Sequence, residues 1–232
     1  MSNDNNKLLG APWPERPTKR LALLVCAEHW EWIAQHKATD KSDWPMLRDL
    51  NMPHSCACCW YDAHHGNRCL KCPLHGHWAS SKGSMCDAPK SPYVAWLEYH
   101  DMEAAARISQ LAYKTLHKMH RGLQGRKLEV DTFFTGTRKA YVAAIDYRIG
   151  LTLKYADSTK AICIDRSRAT YWPSNYTLPD YDRDFGLLVQ GILRGRLSYA
   201  SIANAGFRIA DDVPNSLALA HVKGSHLTCA FE

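Results

Sequence analysis

Apolar positions recur at helical spacing across RLALLVCAEHWEWIAQHK, residues 20 to 37. Ala22, Val25, Cys26, His29 and Ile33 share one face there, flanked by Trp30 and Trp32. The pattern predicts an amphipathic helix. A second stripe runs through Val94, Leu97, Ala104, Ala105, Ile108, Leu111, Ala112 and Met119. Ser91 suits its N-cap, Pro92 its first position, and Gly122 and Gly125 its end. This predicts one long helix paired with the first. The segment between them, 54–86, is crowded with Cys, His, Gly and Ser and has almost no aliphatic residues. Such a segment cannot bury enough apolar surface to offset the entropy of ordering itself. A connector precedes it, with a short helix around Pro45 to Leu50.

Past Gly125 the pattern changes. Val130 to Thr135 and Ala140 to Tyr147 carry apolar and β-branched runs. Leu151, Leu153 and Tyr155 alternate with other residues, as do Ile162 and Ile164, and Asp157-Ser158-Thr159 can turn between them. Two to four antiparallel strands fit. A loop dense in aromatics and prolines follows over 168–184. A helix is then expected over 185–196, capped by Asp184, with Phe185, Leu188, Val189 and Ile192 inward. A short helix capped by Ser198 and stopped at Gly206 comes next, and a third opens at Asp212-Val213-Pro214 and ends near Gly224. The fold class expected is α+β: a helix-clamped four-cysteine zinc knuckle, then a small antiparallel sheet packed with helices. The corresponding domains are a loose arm over 1–19, a helical zinc-binding module over 20–125 and an α+β domain over 126–232.

Composition narrows the chemistry. The chain has 232 residues, 46% of them hydrophobic, enough for a packed core. No apolar run approaches the roughly 20 residues that span a bilayer, and the polar start has no secretory pattern. A cytoplasmic protein without a membrane partner is expected. Nine cysteines in such a chain argue for metal or free thiols, not disulfides. Cys26, Cys163 and Cys229 sit in apolar surroundings and read as core thiols. The net charge of +6 allows a nucleic-acid partner but serves solubility equally well.

The other six cysteines lie between Cys56 and Cys86. Cys56, Cys59, Cys69 and Cys72 form C-x2-C-x9-C-x2-C. Each pair lets the backbone turn around one ion, and the four thiolates complete a tetrahedral zinc shell with bonds of about 2.3 Å. Backbone amides in each knuckle can hydrogen-bond the sulfurs. A shell closed by four cysteines has no open position, so the zinc is structural. Cys86 and Cys58 are alternative ligands, as are His75 and His77 in CPLHGH, and the His64-His65 pair. A second zinc built from Cys58, Cys86 and two histidines is a further alternative.

The order of marks is Trp30-x-Trp32-Ile33-Ala34, Trp44-Pro45, Cys56-x-x-Cys59, Cys69-x-x-Cys72-Pro73-Leu74, Cys86 and Tyr93-x-x-Trp96. Over roughly residues 25 to 115 this resembles small cysteine-rich proteins of unassigned function encoded by tailed bacteriophages. The resemblance implies a metal-binding accessory protein made in an infected bacterium, and implies no reaction.

Two other segments hold candidate chemistry. In DRSRATYWPSNYTLPDYDRD, Arg166, Arg168, Tyr171, Trp172, Tyr176, Tyr181 and Arg183 interleave cations and flat rings. That composition suits phosphates and bases; the plainer account is a loop covering a sheet edge. Asp180, Asp182 and Asp184 alternate as magnesium ligands would, but no Lys or His accompanies them, and a solvated acidic loop explains them. Residues 198–221 fail the helix-turn-helix spacing, because Ala203 and Gly206 are one residue too close. No P-loop, GxGxxG, HExxH or GxSxG is present. The function expected is a phage-type accessory binding protein acting on a host defence or transcription component. The alternatives are a nucleic-acid or nucleotide binder using 165–184 with Arg138 and Lys139, and a metal-dependent enzyme acting on nucleotides or nucleic acid.

Overall fold

The computed structural model describes residues 14–46, 56–66, 69–78, 86–146, 150–165, 178–205 and 207–214. The fold is mixed α and β, with six helices and one six-stranded sheet among the described residues. The chain divides into two compact units, one spanning Pro12–Leu116 and the other holding the chain from His117 onward.

In the first unit, α1 (Lys19–His36) is capped by Thr18, whose hydroxyl accepts from the Leu21 amide at 2.9 Å. Lys37 ends the helix in the left-handed region. The amphipathic expectation holds only for its second half. Leu21 to Ala27 are all buried, so the two turns that follow Lys19-Arg20 are apolar all round and enclosed on every side. Then come α2 (Ala57–His64), packed on α1, and α3 (Pro92–Tyr99), capped by Ser91 with proline in the first turn. The predicted long helix is broken before α4 (Met102–His120). His100 turns left-handed, and the Asp101 carboxylate caps a new helix by accepting from Glu103 and Ala104 at 2.9 and 3.0 Å. The break changes the phase of the stripe. Ala104, Ala105, Ile108, Ala112 and Leu116 are buried, whereas Leu97 and Met119 are exposed.

Aromatic rings lock this unit. Trp30 meets Trp96 edge-on at 4.9 Å, and His29 stacks on Trp44 at 4.8 Å. The Lys41 ammonium lies 4.1 Å from the Tyr93 ring centre and donates to its hydroxyl at 2.9 Å.

The second unit is built on a curled sheet ordered β5-β1-β2-β3-β4-β6. The strands are β1 (Lys127–Asp131), β2 (Thr137–Asp146), β3 (Gly150–Tyr155), β4 (Lys160–Asp165), β5 (Arg196–Ser198) and β6 (Arg208–Pro214). The first four form the expected antiparallel meander. A bulge between Val142 and Ala144 shifts the register by one, which keeps Ile145 on the same face as Ala140 and Val142. That face is continued by Leu151 and Leu153, opposite Ile164 and Ile162. Cys163 is a buried core thiol, packed with Ala161 against Ala210 and Val213.

The structure departs from three expectations. Helix α5 (Leu178–Arg194) starts seven residues before Phe185. Pro179 stands in its first turn, where proline suits a helix, and Asp180, Asp182 and Asp184 face the positive end of the helix dipole as buried residues of its first two turns. Asp184 is therefore not a cap, and the acidic run is not a solvated loop. The sheet is also not wholly antiparallel, since α5 returns the chain to pair β5 parallel with β1. Finally, the Asp212-Val213-Pro214 stretch, expected to open a helix, is the end of β6, paired antiparallel with β4; the residues after it lie outside the described ones. Between β5 and β6 lies α6 (Tyr199–Asn204), capped by Ser198 in a reciprocal pair with Ser201. The element described after α6 is the strand β6, and residues 215–221 of the expected second helix lie outside the described residues. Gly206, Gly224 and Cys229 lie outside the described residues.

Candidate metal centre

Seven of the eight described cysteines lie in the first unit, and none of the eight is in a disulfide. The sulfurs of Cys26, Cys56 and Cys58 all lie within 4.8 Å of one another and form a group able to hold a metal ion. Cys26 comes from α1, Cys56 stands at the N-cap of α2, and Cys58 sits in the first turn of α2. Cys26 and Cys58 are fully buried. The sequence treated Cys26 as a core thiol; it is buried, but its neighbours are sulfurs.

Two more cysteines extend the group. Cys59 hydrogen-bonds Cys56, and Cys72 hydrogen-bonds Cys58. The connected sulfurs thus run from Cys59 through Cys56 and the Cys26–Cys58 pair to Cys72. Protons are shared unequally along this run. Cys56 is held well below the usual thiol range, first because Cys26, Cys58 and Cys59 donate to it. Cys72 is lowered by its bond with Cys58. Cys26 and Cys59 are pushed up first as donors to Cys56, and Cys58 first by its hydrogen bond with Cys26. Burial raises Cys86 to about 11 and also raises Cys69.

The backbone supports the same sulfurs. The amide of Cys59 donates to the Cys56 sulfur and that of Leu74 to the Cys72 sulfur. The 69–72 turn closes with Cys72 N to Cys69 O at 3.4 Å, with Cys69 in the left-handed region. The Asp62 carboxylate, on the last turn of α2, braces this turn by accepting from the amides of Cys69 and Lys71, each at 2.8 Å. Asp62 was not singled out by sequence; its position three residues after Cys59 and seven before Cys69 was the signal. Ser91 adds a tie by donating to the Cys86 carbonyl.

The histidines fall around this centre. His29 is buried, bonds the Lys41 carbonyl at 3.0 Å, and burial lowers its pKa to about 4. His75 has a buried Nδ1 with no hydrogen-bond partner. His64, His65 and His77 are exposed, and His65 bonds the Tyr61 carbonyl at 2.8 Å.

Of the nucleotide candidates, Arg166, Arg168, Tyr171, Trp172 and Tyr176 lie outside the described residues. Arg183 bonds Asp180 at 3.0 Å and Asp184 at 2.8 Å. Arg138 bonds Asp157 at 3.2 Å and covers the Tyr155 ring at 3.4 Å. Tyr181 is fully buried in α5.

No described helix is long and apolar enough to cross a membrane. Compared with protein families, curated proteins and solved structures, the chain matches none.

Proposed function

We propose that this chain is a zinc-stapled binding protein whose metal folds the first unit and whose task is to dock on another protein. The observation that carries this is the convergence of Cys26 of α1 with Cys56 and Cys58 of α2, joined by Cys72 through Cys58, in a unit without disulfides. Zinc suits the donor set, because soft thiolates in a tetrahedral arrangement favour it. Cys56, Cys59, Cys69 and Cys72 are its ligands, with the Cys59 and Leu74 amides and the Asp62 brace holding the two knuckles in shape. Four thiolates leave no position for substrate, so the metal is structural.

The partner proposed is a host protein, in keeping with a phage-type accessory factor. Tyr99 and Leu97, 76% and 53% exposed at the end of α3, offer apolar contact area, as do Phe133 and Phe134 at the β1–β2 turn. Stripping the metal removes folding free energy on the order of 10 kcal/mol. A strong chelator is therefore expected to melt the first unit before the second. Circular dichroism and a melting curve unchanged by stoichiometric chelation would refute the zinc site. Affinity capture from host lysate with and without nuclease tests the partner: retention through nuclease supports a protein, and nuclease-sensitive capture points to nucleic acid.

A further inference from the structure

We infer that the centre takes two thiolate-bound ions of the zinc type, with Cys26 and Cys58 as ligands of the second and Cys56 and Cys72 shared between the two. This rests on the zinc site proposed above and goes beyond its single ion.

The argument begins with the size of one coordination shell. A tetrahedron with metal–sulfur bonds of about 2.3 Å has sulfur–sulfur edges of about 3.8 Å, so all four sulfurs are mutual neighbours. Cys26, Cys56 and Cys58 meet that condition as a group, each within 4.8 Å of the others. Cys59 touches this group through Cys56, and Cys72 touches it through Cys58. Five sulfurs linked in this way outrun a single shell. The knuckle pattern needs Cys56, Cys59, Cys69 and Cys72 for one ion. The buried group leaves Cys26 and Cys58 beside Cys56, and Cys72, joined to it through Cys58, is the fourth sulfur proposed for a second set.

The two sets overlap at Cys56 and Cys72. These same two sulfurs each accept an amide hydrogen bond, from Cys59 and from Leu74. A thiolate shared by two cations keeps one lone pair, which such an amide can occupy. Sharing also limits charge. Six thiolates on two divalent ions carry a net −2, the same as four thiolates on one, although two more ligands are enclosed. Ligands from α1 and α2 would fasten the two helices directly, which the knuckle ion alone does not do.

The experiment uses the full chain purified under reducing conditions and loaded with Zn2+ or with cadmium-113. Two equivalents of metal per chain are expected, with two cadmium resonances coupled to each other through the shared sulfurs. Cys26→Ala and Cys58→Ala are each expected to lower the stoichiometry to one and to remove the coupling, while Cys86→Ser keeps both ions. One equivalent in the wild-type chain overturns the second ion and leaves the single zinc site standing. No metal overturns both. Two uncoupled resonances, two ions retained in both alanine variants, or an ion lost from Cys86→Ser overturns the ligand assignment. Bound iron with labile sulfide also overturns it. The wild-type measurements decide the matter even if a buried alanine variant fails to fold.

Discussion

Asp62 offers a test of how the second knuckle is held. Its two carboxylate oxygens accept from Cys69 and Lys71 at 2.8 Å each, and the residue is 7% exposed. Hydrogen bonds to a charged acceptor are worth about 1.5–3 kcal/mol each. Asp62→Asn keeps one acceptor and turns an NH2 group towards the other amide, so one bond is lost and a donor faces a donor. An opposing effect exists, because the carboxylate's charge raises the thiols of Cys69 and Cys72 and so disfavours their metal-binding form. Cys69 is only partly buried, and like charges acting through a largely aqueous path contribute about 1 kcal/mol at contact distance and less beyond it. The hydrogen bond therefore wins. The net expectation is a 10- to 100-fold weaker metal affinity, the range typical of lost outer-shell partners. Competition against a chromophoric chelator at fixed pH measures this, with Asp62→Ala as the larger lesion. Wild-type affinity in both variants would show that the 69–72 turn is shaped without Asp62, and the reasoning would be refuted.

Two further expectations concern packing and protons. A methyl group added at Gly191 would lie 2.4 Å from Leu197 Cδ2 and 3.0 Å from the Arg196 carbonyl, so Gly191→Ala should destabilise the second unit by about 1–3 kcal/mol despite the better helix propensity of alanine; an unchanged or raised urea midpoint would contradict this. His29 is neutral when folded, its pKa lowered by burial from 6.5 to about 4. The unfolded chain therefore takes up the proton first, stability is full above pH 6.5, and it falls by on the order of 3 kcal/mol as the pH drops to about 4. The wild-type chain should lose more stability over this window than His29→Phe, and parallel pH profiles of the two would count against it.

Local signals were legible where one short segment decides the structure. Ser91-Pro92 capped and opened α3, Ser198 capped α6, and Asp157 to Thr159 turned β3 into β4. Asp101 was an equally local cap, but an apolar stripe that ran on across it hid the break. The start of α5 was hidden in a similar way: its Pro179 reads as a helix signal, yet the surrounding aromatics and prolines read as loop. Strand β5 has three residues, too few to show a period of two, and its parallel partner β1 is more than sixty residues earlier. Strand β6 carries Asp-Asp-Val-Pro, which imitates a capped helix start; as an edge strand it can end on proline. For Cys26, helical periodicity treats cysteine as one more apolar residue. Nothing along the chain relates it to Cys56, and only the packing of α1 on α2 brings the two sulfurs together.

That packing gives the cysteine-poor helix and the cysteine-rich segment a common dependence. Helix α1 is apolar on all sides over Leu21 to Ala27, so it needs enclosure; the 56–78 segment is short of aliphatic residues, so it needs a staple. Without metal, the sulfurs largely satisfy one another: Cys26 and Cys59 direct their protons at Cys56, and Cys58 bonds Cys26 and the Ala22 carbonyl. A sulfhydryl is a weak donor, so this network holds the two elements together loosely. Replacing its protons by a divalent cation turns each weak S–H contact into a metal–sulfur bond and fixes directions that hydrogen bonds leave soft. The displaced protons must go to solvent, which ties the order of the first unit to both metal supply and pH. The second unit has a described core of Val142, Leu153, Ile162, Phe185 and Ile192, and these buried residues supply the apolar area that the first unit's cysteine-rich segment lacks.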